Sequence, residues 1–468
     1  MIRYASTYFL CSIYQHGCRA SPLAHARLLS CRHCGPSWSD AVPDIRRAPK
    51  GARHPRETGI PRMKSMRSRH GLKWLAIAFL ALSACQKSAL RPLTVEAYVW
   101  QSPEIPAVQQ AMSRATGQVG KFHVRATELG WTGERFTTQR PLTKLPALGC
   151  GLVVRIGASA SQLEWTPEQI EVVAAVFREL ARLGPSEIQC DFDCPQKRLG
   201  RYRVLLDALQ AAAGKVPVLP TALPSWLDER SFQRLIEGRS GYVLQVHSLQ
   251  LPKNSGDSVV IFDPIAARAA ANKAAALRVP FRIAMATYGC EVRLGPDGKV
   301  TDVLSEDFAS GTAATSRAFA LADPVASAHL VHEWKVNPPP GLRGIIWYRL
   351  PVEGDQRNWP WETFQLVIRG EQSLSKPEFE TFVGSGARDL FVANHGRFPL
   401  LLPREIVVSS PVSAADGVGA YRMERRNDAL HFIRRNDIWP WLDPGKKIPT
   451  GWLRISGEPA PIVWHFVQ

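Results

Sequence analysis

The sequence predicts an α/β chain: a (β/α)8 TIM-like barrel followed by a small C-terminal β-sandwich. Two observations carry this expectation. From residue 93 to about 370, short apolar runs suited to buried strands alternate with stretches of helical spacing, and eight such runs can be read. After about residue 375 the helical spacing stops, and short strands separated by turns remain.

The clearest unit begins with the strand-like Gly151-Leu-Val-Val-Arg-Ile156. Thr166-Pro167-Glu168-Gln169 then combines an N-cap, a proline at the first helical position and a glutamine at N3, the pattern of a capping box. Ile170, Val173, Phe177 and Leu180 follow at helical spacing, Gly184-Pro185 stops the helix, and a strand runs from Ile188 to Asp193. This is a βαβ unit, and βαβ units imply a parallel sheet. The same grammar places strands at 93–100, 121–129, 152–157, 188–193, 216–221, 242–248, 281–288 and 343–350. Helices fall at 104–115, 167–183, 197–213, 228–237, 264–278 and 324–335, with Asp263-Pro264 and Asp323-Pro324 repeating the cap-then-proline start. The second connection, 130–150, lacks a helical pattern. The seventh carries an insertion whose Gly295-Pro-Asp-Gly298 predicts a hairpin between Val292 and Val300. An open doubly wound sheet is the alternative, ranked second because no glycine-rich phosphate turn follows the first strand. Beyond 375, strands are expected at 390–394, 400–402, 406–409, 430–434 and 452–455.

Residues 63–85, MKSMRSRHGLKWLAIAFLALSAC, have the parts of an export signal. Lys64, Arg67, Arg69 and Lys73 precede an apolar stretch from Trp74 to Leu82, and small residues precede Cys85. The stretch is about half the ~20 residues that span a bilayer. Leu82-Ser83-Ala84-Cys85 resembles the lipobox of bacterial lipoproteins, in which the cysteine is acylated and becomes the new N-terminus. Residues 1–62 hold Cys11, Cys18, Cys31 and Cys34 without apolar periodicity, and are read as upstream sequence with translation starting at Met63 or Met66. The expected organisation is therefore signal 63–84, barrel 85–372 and sandwich 375–468.

Removing the leader changes the meaning of the charge. The whole chain carries 58 Lys+Arg against 41 Asp+Glu, or +17. Residues 1–84 hold 14 against 3, so the remainder is 44 − 38 = +6. That dispersed excess argues against nucleic acid as a partner. Cys150, Cys190, Cys194 and Cys290 give no disulfide framework; unpaired buried thiols are expected, with Cys194–Cys290 the one conceivable bridge.

The succession Gln189-Cys-Asp-Phe-Asp-Cys-Pro195, Leu219-Pro-Thr-Ala-Leu-Pro-Ser-Trp226, Tyr242-Val-Leu-Gln-Val-His-Ser248 and Ile346-Trp-Tyr-Arg-Leu-Pro351 resembles an uncharacterised bacterial lipoprotein family, domain of unknown function 3142. That resemblance covers most of the chain after Cys85 and brings no activity with it. Asp191-x-Asp193 also resembles, at the level of architecture, the D-x-x-D-x-D-x-E motif of chitinase-type glycoside hydrolases. The position of the catalytic acid in that motif is Pro195 here. The resemblance implies a saccharide-handling barrel more than it implies chitinase chemistry.

Barrel sites lie at the C-terminal ends of the strands. On the fourth strand Gln189, Asp191 and Asp193 alternate onto one face, with Arg155 on the third strand as a natural partner. Asp191 with Arg155 reads best as an internal ion pair; Asp193, nearer the rim, divides evenly between structural and catalytic roles. Glu128 at the end of the second strand is the candidate second carboxylate, with Glu291 and Glu353 weaker. Gln245, His247 and Arg349 are expected to face inward. Trp100, Trp131, Trp226, Tyr288, Trp347, Tyr348, Trp359 and Trp361, at or just past strand ends, are candidate sugar platforms, although core packing explains some of them equally well. His329-x-x-His332-Glu333 matches no metalloprotease order, and no metal or organic cofactor is implied. Nucleophile-elbow, P-loop and dinucleotide motifs are missing from the sequence.

The leading expectation is a lipid-anchored barrel of the cell envelope, facing the periplasm from the outer membrane, that binds or cleaves a polysaccharide. A non-catalytic glycan-binding module and a scaffold for another envelope protein are the rivals. Two outcomes are expected. Mass spectrometry of membrane-extracted protein finds no peptide from 1–62, and Cys85→Ala releases the protein from membranes or blocks its processing; unchanged retention and processing would refute the anchor. Limited proteolysis cuts between about 370 and 388, as a boundary near residue 375 requires.

Overall fold

The computed structural model describes residues 92–139, 142–250, 259–305, 316–384, 386–456 and 461–467. The export signal, Cys85 and the cysteines of the leader lie outside them. Eight strands form the barrel: β1 (Thr94–Val99), β2 (Lys121–Trp131), β4 (Gly151–Ile156), β5 (Ile188–Phe192), β6 (Val218–Ala222), β7 (Tyr242–Gln245), β10 (Phe281–Ala286) and β14 (Leu342–Tyr348). All neighbours pair in parallel, and β1 pairs with both β14 and β2, which closes the cylinder. The closed (β/α)8 alternative is therefore the one adopted, and the open sheet is not.

The helices follow the sequence reading closely. They are α1 (Pro106–Ala115), α2 (Pro167–Arg182), α3 (Leu199–Ala213), α4 (Arg230–Ile236), α5 (Pro264–Ala276) and α6 (Pro324–Val336). Both halves of the capping box at α2 are present: Gln169 N–H donates to Thr166 Oγ1 and Gln169 Oε1 accepts from the Thr166 amide. The Asp263 and Asp323 carboxylates cap α5 and α6. A seventh helix, α7 (Trp361–Arg369), was not anticipated from the sequence. Its signal is compact: Pro360 before it, Trp361, Phe364 and Val367 on one face, and Gly370 at φ 73° terminating it in the left-handed region.

The helix-free second connection is filled by β3 (Phe136–Gln139), which folds back antiparallel on β2. Between β7 and α5 lie the short β8 (His247–Gln250) and β9 (Val260–Phe262). The insertion after β10 forms a three-stranded sheet, β11 (Gly289–Leu294), β12 (Val300–Leu304) and β13 (Ser316–Leu321), with the anticipated hairpin pairing Leu294 to Val300. Behind the barrel stand two four-stranded antiparallel sheets. One contains β15 (Pro377–Val383), β16 (Arg388–Asn394), β23 (Lys447–Ile455) and β19 (Val412–Gly417). The other contains β20 (Tyr421–Arg426), β21 (Ala429–Arg434), β18 (Glu405–Val408) and β24 (Trp464–Val467). Leu390, Val392, Ile406, Val408, Leu430, Phe432 and Leu453 form a core of their own. Trp439 packs edge-on against Phe319 at 5.9 Å, and a Cβ at Gly289 would lie 2.6 Å from its ring, so the sandwich rests on the insertion sheet. Cys150, Cys190, Cys194 and Cys290 are buried and free. Among the described residues no helix is long and apolar enough to cross a membrane.

The interior of the barrel is layered. At the end where the strands begin, Arg282 donates to Glu96 at 2.7 Å and to Glu187, while His123 Nε2 meets Glu96 at 2.6 Å and Gln189 donates to Glu187 at 2.9 Å. Two buried carboxylates thus share one guanidinium, so removing that single cation would leave both buried without it. Gly151 makes room for this plug, since a Cβ there would stand 2.4 Å from His123 Nδ1. Above it Tyr98 donates to Gln189 at 2.6 Å, and Val153, Val243, Ala284 and Ile346 fill the waist.

Burial acts to raise the Glu96 carboxyl, but the His123 hydrogen bond and the Arg282 charge outweigh it and bring it down to about 2. Its contribution to stability is therefore complete above its ordinary value of 4.5 and is lost as pH falls toward 2. Arg282→Met is expected to cost about 3–5 kcal/mol at neutral pH, because it strands two buried carboxylates. Denaturant melts should show the gap to the wild type narrowing below about pH 4, where Glu96 loses its advantage. A gap independent of pH would refute the pairing.

Candidate functional site

The site is built at the opposite end, where the strands stop. Period-two alternation puts Gln189, Asp191 and then Asp193 on the inner face of β5, and Val153 and Arg155 on that of β4. Strand β2 reaches the same level by an irregularity between Arg125 and Thr127. Arg125 pairs with Val153 and Glu128 with Arg155, so two residues three apart both face inward.

Asp191 is 3% exposed and is held from three sides. Arg155 donates to its Oδ2 at 2.6 Å, and Thr221 and Gln245 donate to its Oδ1 at 2.9 and 3.0 Å. Asp193 receives a single longer bond from Arg155, 3.4 Å, and its side chain keeps 29% of its surface exposed. Burial lifts the Asp193 carboxyl above its ordinary range; Arg155 opposes this and the neighbouring Asp191 charge assists it. The two carboxylates thus differ in setting: Asp191 is the anchored ion-pair partner, and Asp193 is the one whose protonated form burial favours. Glu128 is 5% exposed, with Arg125 Nη1 at 3.9 Å and Arg155 in register beside it.

An aromatic wall faces these carboxyls. His247 stacks on Tyr348 at 5.2 Å and 14°, with Tyr288 edge-on to both at 6.0 and 5.4 Å. Trp100 meets Tyr348 at 4.9 Å, and the Arg125 guanidinium lies over the Trp100 ring at 5.2 Å. Burial brings His247 down to about 4, with Asp191 opposing, so its imidazole is neutral at neutral pH and offers one donor and one acceptor.

Asp191, Asp193, Glu128, Trp100, His247 and Tyr288 therefore share one end of the barrel. The other anticipated site residues stand elsewhere. Trp226 is buried between Tyr202 and Phe232 in the layer between strands and helices. Trp347 points outward from β14, against Trp359 and Phe364, because Ile346 and Tyr348 take the inward positions. Arg349 follows the same alternation: it is 1% exposed, ion-paired with Asp355 and bonded to the Ser305 carbonyl at 2.8 Å. Glu291 lies in the insertion sheet against Arg293, Arg317 and Arg357. The sequence reading overlooked Tyr98, Thr221 and Arg125. The first two were available from alternation, since Glu96, Tyr98 and Trp100 are spaced by two, as are Leu219 and Thr221; the third depended on the irregularity in β2.

Fold and mouth together define a closed (β/α)8 barrel with a polar site at its strand ends. Residues 150–353 match the family model Domain of unknown function (DUF3142), the family that the sequence motifs resemble, and residues 381–456 match Domain of unknown function (DUF8456). No curated protein matches the chain. Among solved structures it is similar to a chitinase from Bacillus thuringiensis (9% identity, 80% of this chain and 100% of that one, TM-score 0.39). It is also similar to a chitinase from Chromobacterium violaceum (12%, 59% and 98%, 0.39) and to the spore cortex-lytic enzyme SleL of Bacillus cereus (10%, 60% and 74%, 0.40).

Asp191→Asn should lower stability by about 3 kcal/mol, because it weakens the buried partner of Arg155. Asp193→Asn should leave the thermal midpoint nearly unchanged. The reverse ranking in calorimetry would mean that the structural and functional carboxylates are assigned the wrong way round.

Proposed function

We propose that this chain is a lipid-anchored envelope protein whose barrel mouth takes a polysaccharide and acts on it with Asp193 as proton donor. The observation that carries this reading is the partly exposed Asp193 carboxyl, raised above its ordinary range and facing an aromatic wall. Sugar rings present C–H faces that aromatic side chains accept, and the partly exposed Tyr348 and neutral His247 are the groups of this wall that meet a ring and its hydroxyls. A protonated carboxyl at that place suits donation to a glycosidic oxygen as the bond breaks. The second carboxyl of a hydrolase must stand across the scissile bond, which Asp191, a neighbour on the same strand, does not. Glu128 is the candidate for that place, two strand spacings along the wall, or about 10 Å at the backbone. In the anchored protein, acyl chains on Cys85 hold the barrel to the outer membrane, facing the periplasm.

A second reading is favoured by one observation. The Glu128 side chain is only 6% exposed and Asp191 is fully engaged, so the mouth presents Asp193 as its one accessible carboxyl among these three. A barrel in this state binds a glycan without cleaving it, in keeping with Pro195 at the position of the lost acid. A glycan panel with detergent-extracted protein separates the two. Cleavage gives products, and the rate falls as pH rises through the raised pKa of Asp193, since only the protonated form donates. Asp193→Asn abolishes that turnover by at least ~100-fold. Binding alone gives retention without products, weakened by the same substitution. Neither products nor retention, together with a co-purifying envelope protein, would refute both in favour of a scaffold.

A further inference from the structure

We propose that the barrel stands base-down on the bilayer that anchors it, docking the face where its strands begin onto anionic headgroups, so that the Asp193 mouth opens away from that membrane. This rests on the anchored reading above, and goes beyond it by assigning a membrane-contact face and an orientation.

Topology supplies the first argument. All eight barrel strands are parallel, so all begin at one end, and β1 begins at Thr94. Cys85 precedes Thr94 by nine positions. Even fully extended, that stretch reaches only about 30 Å. The acyl chains are thus tied to the base of the barrel, and a strand of six residues sets the mouth about 20 Å further out.

Charge supplies the second argument. Four cations stand exposed at the base on successive elements: Lys215 in the turn before β6, Arg278 in the turn before β10, Lys335 at the end of α6 and Arg343 in the first turn of β14. None of the four forms an ion pair among the described residues, whereas Arg182 and Arg239 at the same end are matched by Glu179 and Asp207. Glu237 is the exposed carboxylate opposing the four, and Glu187 is consumed inside the barrel by Arg282. The exposed charge left without an ion pair at the base is therefore predominantly positive. The mouth loops mix their signs, with Glu104, Glu134, Glu164 and Glu353 among Arg135 and Lys197. A short tether at a basic face leaves an anionic lipid surface as the partner that is both within reach and complementary. The polymer that enters the mouth then comes from the aqueous side of the envelope, not from the same bilayer.

The test uses the full lipidated protein reconstituted in vesicles of phosphatidylcholine alone or with phosphatidylglycerol. The described native cysteines are buried, so a fluorophore can be directed to an added one, Ser240→Cys in the exposed turn before β7 or Gln162→Cys in the turn after β4. A quencher on the headgroups should extinguish the Ser240 label more than the Gln162 label, and more so with anionic lipid. The triple variant Lys215→Glu, Arg278→Glu, Arg343→Glu should shift the docked population by roughly fivefold per cation and remove the dependence on anionic lipid, with its thermal midpoint as the control for folding. Salt near 1 M should do the same to the wild type. Equal quenching of the two labels, or indifference to the charge reversals, would overturn the proposal. Flotation of Cys85→Ala is read separately. If that variant stays membrane-bound, the anchor reading fails, and the docking face is then judged by whether the label order still depends on anionic lipid.

Discussion

Arg155 is the group on which the upper half of this barrel depends. It stands between β2 and β5, and two carboxylates of one strand reach for it. A guanidinium in a low-dielectric cylinder must be matched, and so must a carboxylate, but two carboxylates cannot be matched equally by one cation. Here the inequality is resolved by distance. Asp191 takes the short bond at 2.6 Å and recruits Thr221 and Gln245 as further donors, while Asp193 is left with one bond at 3.4 Å. The lower half repeats the theme around Arg282, where Glu96 and Glu187 are both buried and both brought low. The base is a closed, fully paired plug. The mouth is an unequally paired one, and that inequality makes it chemically distinctive.

Much of the fold was legible because its signals are local. Cap-then-proline starts, glycine stops and β-rich runs each depend on a few adjacent residues, and they marked six helices, the missing second helix and the inserted hairpin. Helix α7 escaped because its nine residues carry six buried side chains and little polar contrast. In the sandwich, strands β19 and β20 escaped because polar and small residues leave their apolar half thin; β15 and β24 escaped as well. Pairing across a sandwich is a long-range property that no short window contains.

The site was legible only in part, for a geometric reason. Alternation determines which residues of a strand share a face, but it has to be started from the right residue. Asp191 and Asp193 supplied that start on β5. On β14 the large Trp347 drew attention to the outward face, and Arg349 was carried with it, whereas Ile346 and Tyr348 hold the inward positions. The tryptophans misled more generally. Phe136, Trp165, Phe192, Tyr202, Trp226, Phe232, Tyr242 and Phe281 follow one another at ring separations of 5.3–6.1 Å around the outer wall of the strands. Most of the aromatic surface thus seals helices to strands, and only the cluster of Tyr98, Trp100, His247, Tyr288 and Tyr348 serves the mouth.

The departure at Pro195 acquires a physical meaning from this arrangement. Strand β5 ends at Phe192, and the Cys194 amide turns back onto the Phe192 carbonyl at 2.7 Å. Beyond that turn Cys194 is buried and its thiol pushed up to about 12, first by burial, so it supplies neither acid nor nucleophile at neutral pH. Pro195 has no ionisable group. The proposed function therefore assigns the proton of this strand to Asp193, the residue at the centre of that turn. Its pKa is raised first by burial and then by the charge of Asp191, with Arg155 opposing. The two carboxylates are thus coupled: negative charge at Asp191 favours the protonated form of Asp193.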